Sequence, residues 1–210
     1  MRALFLHVIS KFLFILTPIH VIILVTNIYG GHPMNNVAVI YKSKYGTTKQ
    51  YAQWIAEALD AALLEASEIK PPQLMSYEVV VYGGGLYAGG IDGVKIVTKN
   101  PCKSLVVFTV GLADPNVTDY SVILKKNFTQ EQLSATRIFH LRGGIDYNKL
   151  SIVHKGLMTL LRKMSLKKDV SELTDEDKLF LETYGAKLYF MDKDSIDPIV
   201  AFVKDQLSIN

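Results

Sequence analysis

Apolar positions along this chain fall into short continuous runs, each followed by a stretch in which they recur every three or four residues. Residues 37–41 (Val-Ala-Val-Ile-Tyr) form the first run, with no polar interruption, as expected for a strand buried on both faces. A polar turn follows, and then Tyr51, Ala52, Ile55, Leu59 and Ala62 lie at helical spacing. The same reading predicts strands over 64–69, 77–82, 103–110 and 137–141, with Pro71-Pro72 punctuating the chain after the second. Helices are predicted over 93–100, 118–127 and 129–133. Past the fifth strand, 150–164 reads as a basic amphipathic helix. Thr174 and Asp177 open another in capping-box style, with Gly185 to close it, and 195–207 reads as the last helix, with Pro198 in its first turn.

Strands alternating with helices imply an α/β fold, a parallel sheet with helices on both faces. Right-handed crossovers leave few topologies, and the opening strand-loop-helix with five strands favours the order 2-1-3-4-5. Ligands of such sheets bind at the carboxyl ends of the strands.

Residues 1–33 do not share this pattern. No charged side chain lies between Lys11 and Lys42, and 12–25 is almost wholly apolar. One reading is a membrane anchor or a signal peptide with a short basic flank. No small-x-small cleavage site follows the run, and Thr17, Pro18, His20, Thr26 and Asn27 interrupt it. The preferred reading is a mis-assigned start, with translation beginning at Met34. Gly30-Gly31-His32-Pro33 back-translates to a purine-rich GGAGG just before the Met34 codon, the arrangement of a bacterial ribosome-binding site. The expected organisation is therefore an apolar extension, 1–33, and one domain, 34–210.

Composition narrows the classes. With 49% apolar and 20% charged residues, the chain is neither disordered nor a disulfide-stapled miniprotein. A net charge of +3 argues against a nucleic-acid binder, which concentrates Lys and Arg far more heavily. The single cysteine, Cys102, excludes an internal disulfide and a Cys-rich metal site, so a reducing, cytoplasmic setting is expected.

The turn after the first strand carries the strongest chemical signal. Ser43-Lys44-Tyr45-Gly46-Thr47-Thr48 places hydroxyls and backbone N–H groups at a helix N-terminus, a ready anion site. It matches neither the Walker loop nor the dinucleotide-binding G-x-G-x-x-G. A plain helix cap uses the same residue types. Two further loops leave strands at the same predicted edge: Gly84-Gly85-Leu86-Tyr87-Ala88-Gly89 and Gly111-Leu112-Ala113-Asp114. Tyr87 suits either a ring-stacking role or packing on the sheet rim. Asp114 suits a turn with Pro115, and Gly83 to Gly85 a tight backbone turn.

On these residues the chain resembles the flavodoxin family. Ser43, Gly46 and Thr48 meet the family's T/S-x-T-G-x-T phosphate loop, with Tyr45 in place of the usual Thr. The resemblance implies a flavodoxin-like three-layer sandwich with extra C-terminal helices. It also implies non-covalent FMN, its phosphate on the first loop and its ring between the loops after strands three and four. Within the group the chain looks most like the menaquinone-dependent protoporphyrinogen IX dehydrogenases. That likeness rests on residues 41–48, on Leu141-Arg142-Gly143-Gly144-Ile145-Asp146-Tyr147, and on the helix ending Leu160-Leu161-Arg162-Lys163-Met164. It covers roughly residues 35–165.

The resemblance implies an FMN oxidoreductase passing electrons from a reduced substrate, protoporphyrinogen IX among the candidates, to a quinone or a redox partner protein. A flavodoxin-type electron carrier without its own substrate and a flavin-free binding module are the alternatives. Carriers use a strongly acidic surface for steering, which this chain lacks. Arg142, Lys149 and Lys155 are the candidates for holding an anionic substrate. The 150–164 helix reads first as packing its apolar side on the sheet, and second as resting on an anionic membrane surface.

Overall fold

In β1 (Val37–Lys42) successive side chains enter opposite layers: Val37, Val39 and Tyr41 join one core, Ala38 and Ile40 the other. A computed structural model describes residues 36–87 and 89–209 of the chain. The readings of 1–33 and of Ala88 lie outside the described residues.

The main sheet runs β2 (Ala62–Glu65), β1, β3 (Val79–Tyr87), β5 (Leu105–Gly111) and β6 (Arg137–Arg142), all parallel. This is the expected 2-1-3-4-5 order. A two-residue strand β4 (Gly90–Ile91) pairs antiparallel with the end of β3. On one face α1 (Thr47–Leu59) and α7 (Asp197–Ile209) bury Tyr51, Ile55, Ile199 and Val203 against Val39, Val81, Val106 and Phe108. The opposite layer is built from a 3-10 turn (Pro71–Ser76), α2 (Lys95–Thr98), α3 (Ser121–Asn127) and α4 (Gln130–Ala135). There Leu74, Val94, Val97 and Phe128 cover Ile40, Val80, Tyr82 and Val107. Tyr51 ties the first face to the chain's C-terminal part: its hydroxyl donates to the Arg142 carbonyl at 2.8 Å and accepts from the Asp192 N–H at 3.1 Å.

Most boundaries differ from the sequence reading by one to three residues, and two departures are larger. The second strand lies at Ala62–Glu65 rather than 64–69, because pairing with Ala38–Tyr41 of β1 sets its register and a turn at Glu65–Glu68 then ends it. Gly83, Gly84 and Gly85 do not turn the chain. They continue β3, paired with Tyr41 and Lys42 on one side and with Phe108 to Val110 on the other. A Cβ on Gly83 would overlap the Phe108 ring, with Cε1 only 2.6 Å away, so glycine there answers lateral packing.

Beyond β6 come β7 (Gly144–Asp146), α5 (Ile152–Ser165), α6 (Asp175–Thr183) and β8 (Lys187–Tyr189), with β7 and β8 in an antiparallel pair. A small third core of Ile145, Tyr147 and Leu150, packed with Leu112, Met158, Tyr184 and Leu188, fastens this region to the end of the sheet. Asp177 closes the α6 capping box with Thr174 and also accepts from Lys168 and Ser165; the Lys168 hydrogen bond holds its carboxyl well below the usual range.

Candidate functional site

A cavity of about 520 Å³ opens at the carboxyl edge of the sheet, within the size range of cofactor sites. Its floor is the β1–α1 turn. Gly46 holds φ +93°, a left-handed conformation that a side chain would strain, and serves as the N-cap of α1. No side chain caps that helix end, so the N–H groups of its first turn remain available to an anion. Thr47 and Thr48 line the cavity there, Thr48 only 2% exposed. One wall comes from Gly85, Leu86 and Tyr87 of β3, another from Val110, Gly111 and Leu112 after β5.

The remaining wall is α5, 110 residues away in sequence, which reaches the first turn through His154. Lys44 Nζ lies 3.0 Å from His154 Nε2, and Tyr45 Oη bonds His154 Nδ1. An ammonium only donates, so Nε2 must accept and Nδ1 must carry the proton. The Tyr45 oxygen therefore accepts from His154, as it does from the Ser151 N–H at 3.5 Å, and its own hydroxyl proton is left for another acceptor. Tyr45 thus keeps a donor where the phosphate-loop pattern has Thr. His154 is 5% exposed, and burial, then the Lys44 charge, pushes its pKa below the ordinary histidine value. The Tyr87 ring lies 4.6 Å from the His154 ring, with Lys44 Nζ 5.3 Å from the Tyr87 centroid.

This clamp predicts a pH dependence. With its folded pKa depressed, His154 binds a proton more readily in the unfolded chain. Its contribution to stability is complete above the ordinary value of 6.5 and is lost as pH falls through 6.5 toward the folded value. Urea unfolding at about pH 7.5 and about pH 5.5 should show wild type losing stability on acidification, and His154→Gln losing less. Burial depresses His140 as well; it stacks on Tyr120 and bonds Thr109, and lines neither cavity described here. A His140→Gln variant therefore separates the two contributions.

The structure brings together Lys44, Tyr45, Thr47, Thr48, Gly85, Leu86, Tyr87, Gly111 and Leu112 of the sequence-selected residues. Ser43 instead accepts the Gly46 N–H at 3.1 Å and shapes the turn from within. Gly84 abuts Ile91 and Asp92, and Gly89, at φ +71°, turns the β3–β4 hairpin. Asp114 accepts the Asn116 N–H, the turn role expected of it. Ala113, Asp114 and Arg142 line a second cavity, of about 440 Å³, that meets the first at Leu112. The three basic candidates do not converge. Arg142 donates from Nε to the Leu112 carbonyl and stacks over Phe190 at 3.8 Å, while Lys149 and Lys155 are exposed and line neither cavity, their segment pointing them outward. His154, Leu157 and Met158 were not legible as cavity residues: the amphipathic pattern put Leu157 and Met158 on the apolar side but His154 on the charged side, and the structure buries it.

The arrangement fits a flat ligand with a phosphate tail: an uncapped helix end, two threonines, the Tyr45 hydroxyl and Lys44 at one end, and apolar walls around the rest.

A flavodoxin domain family model matches residues 38–172. Curated protein sequences return no match. Among solved structures, the Flv1 flavodiiron core from Synechocystis sp. PCC6803 is 16% identical, covering 50% of this chain and 30% of its own, with a TM-score of 0.38. Oxidised flavodoxin 2 from Bacillus cereus is 16% identical over 50% of this chain and 83% of its own, TM-score 0.38. A flavoprotein in complex with FMN from Lactobacillus acidophilus NCFM is 11% identical over 50% and 91%, TM-score 0.36. The chain thus spans under a third of the flavodiiron core.

Proposed function

This chain belongs to the flavodoxin domain family, and from that premise we propose that it is an FMN-dependent oxidoreductase that moves electrons from a reduced organic substrate to a quinone. Its cofactor is FMN. When bound, FMN supplies the redox chemistry. The chain's own residues do the rest. Thr47, Thr48, Tyr45 and the first N–H groups of α1 hold the phosphate, Lys44 balances its charge, and Leu86, Tyr87 and Leu112 flank the ring and exclude water.

The observation that carries the enzyme reading over a pure carrier is the second cavity. Phe180, Phe190, Tyr147, Leu188 and Val117 make it largely apolar, Arg142 is the cation among its lining residues, and the Asp114 carboxylate that also lines it accepts from Asn116 through Oδ1. Among the described residues no carboxylate forms an ion pair with Arg142. A half-buried guanidinium in a largely apolar slot beside the cofactor cavity suits a large apolar substrate bearing a carboxylate. Protoporphyrinogen IX has that chemistry.

The test is anaerobic visible spectroscopy of the full chain loaded with FMN. Adding protoporphyrinogen IX should bleach the oxidised flavin band, and a menaquinone analogue should restore it. A bound flavin that ignores the porphyrinogen but is reduced by a flavodoxin reductase would replace this reading with the carrier. A chain that retains no FMN would overturn both.

A further inference from the structure

The outer surface of α5 carries a concentration of exposed apolar side chains. Ile152 is 90% and Val153 74% exposed, and Leu160, Met164 and Leu166 are exposed as well. Val153, Leu160 and Met164 are seven and four residues apart, so they form one stripe along the helix. The expectation that this helix packs its apolar side on the sheet is therefore only half met. His154 and Ser165 are buried and Leu157 and Met158 half-buried, while the stripe beside them faces outward.

Charge marks the same segment. Residues 149–168 hold Lys149, Lys155, Arg162, Lys163, Lys167 and Lys168 and no acidic residue, against 17 basic and 20 acidic side chains elsewhere in the chain. Acidic residues resume at Asp169. Among the described residues, Lys168 alone of the six pairs with a carboxylate, Asp177. No helix among the described residues is long and apolar enough to cross a membrane.

We infer that the outer face of α5 docks on an anionic lipid bilayer. An apolar stripe beside a one-sign basic band is what a helix lying in the headgroup region requires: Val153, Leu160 and Met164 enter the acyl boundary while Lys163 and Lys167 meet lipid phosphates. The complementary charge selects a lipid surface over a neutral apolar partner. The inner face of the same helix walls the cavity at the sheet edge, so docking sets that cavity beside the bilayer. This inference is independent of the substrate reading.

The test is co-sedimentation of the full chain with vesicles of phosphatidylcholine alone or mixed with phosphatidylglycerol. Binding to the anionic vesicles should exceed binding to the neutral ones by about tenfold or more and weaken as salt is raised. Lys163→Glu with Lys167→Glu, and separately Val153→Ser with Leu160→Ser and Met164→Ser, should each reduce it by about tenfold, with near-ultraviolet circular dichroism unchanged. Absence of wild-type binding would overturn the inference, as would wild-type-level binding by both variants, which would place the contact elsewhere in the chain. A dimer in sedimentation that the serine variant splits, without vesicle binding, would assign the stripe to a second copy instead.

Discussion

Phe108→Ala is expected to lower the free energy of unfolding by about 3–5 kcal/mol, a large part of the roughly 5–15 kcal/mol that holds a domain together. Phe108 is fully buried in the middle of the central parallel sheet, in register with Gly83 of β3 and Phe139 of β6. Its ring occupies the space a side chain on Gly83 would take. The reverse substitution, Gly83→Ala, drives a methyl group into that ring and should cost about 1–3 kcal/mol by overpacking. The two should not add. In the double variant the methyl group introduced on β3 takes up part of the volume the ring vacates, so its loss should fall below the sum of the two single losses, as read by chemical denaturation. Strict additivity would mean that the ring and the glycine are not in contact.

Replacing Thr47 and Thr48 together by Val should weaken FMN binding far more than riboflavin binding. The two substitutions keep shape and remove two hydroxyls at the N-terminus of α1, where the phosphate of FMN is held in the proposed site. Hydrogen bonds to a charged group contribute about 1.5–3 kcal/mol each, so each lost hydroxyl should cost about tenfold to a hundredfold in FMN affinity. Riboflavin lacks the phosphate and should bind both proteins alike. Fluorescence titration of the flavin measures both constants. Equal losses for the two ligands would show that the turn acts on the ring or on the fold, and would remove the phosphate assignment.

The apolar runs of the three central strands, β1, β3 and β5, were legible because a strand buried on both faces has no alternative to a near-continuous hydrophobic sequence, and the order followed from the alternation of strands with helices. The first turn was legible for a similar reason. A glycine followed by two threonines at a helix start serves few purposes other than capping or anion binding. The glycines after residue 82 misled, since low strand propensity argues for a turn; pairing with β1 and β5 makes them strand residues, and the Phe108 ring on the neighbouring strand accounts for glycine at Gly83. Boundaries near Ala62 moved because register belongs to pairs of strands and not to either alone.

By itself the sequence determined an α/β chain, the glycine–threonine turn at 43–48 that opens the first helix, and a family resemblance, all of which depend on local spacing; its strand order followed from the alternation of strands with helices. Only the tertiary structure decided which residues share the cavity. Lys44, Tyr45 and Tyr87 meet His154 because α5 is anchored over the sheet edge by the Ile145–Tyr147–Leu150 core; the Lys44–His154 contact joins segments 110 residues apart and has no local signature. The same anchoring sends Arg142 to the second cavity and leaves Lys149, Lys155 and the apolar stripe facing outward. Amphipathicity shows that a helix has two sides; the packing of its neighbours selects the side that is covered.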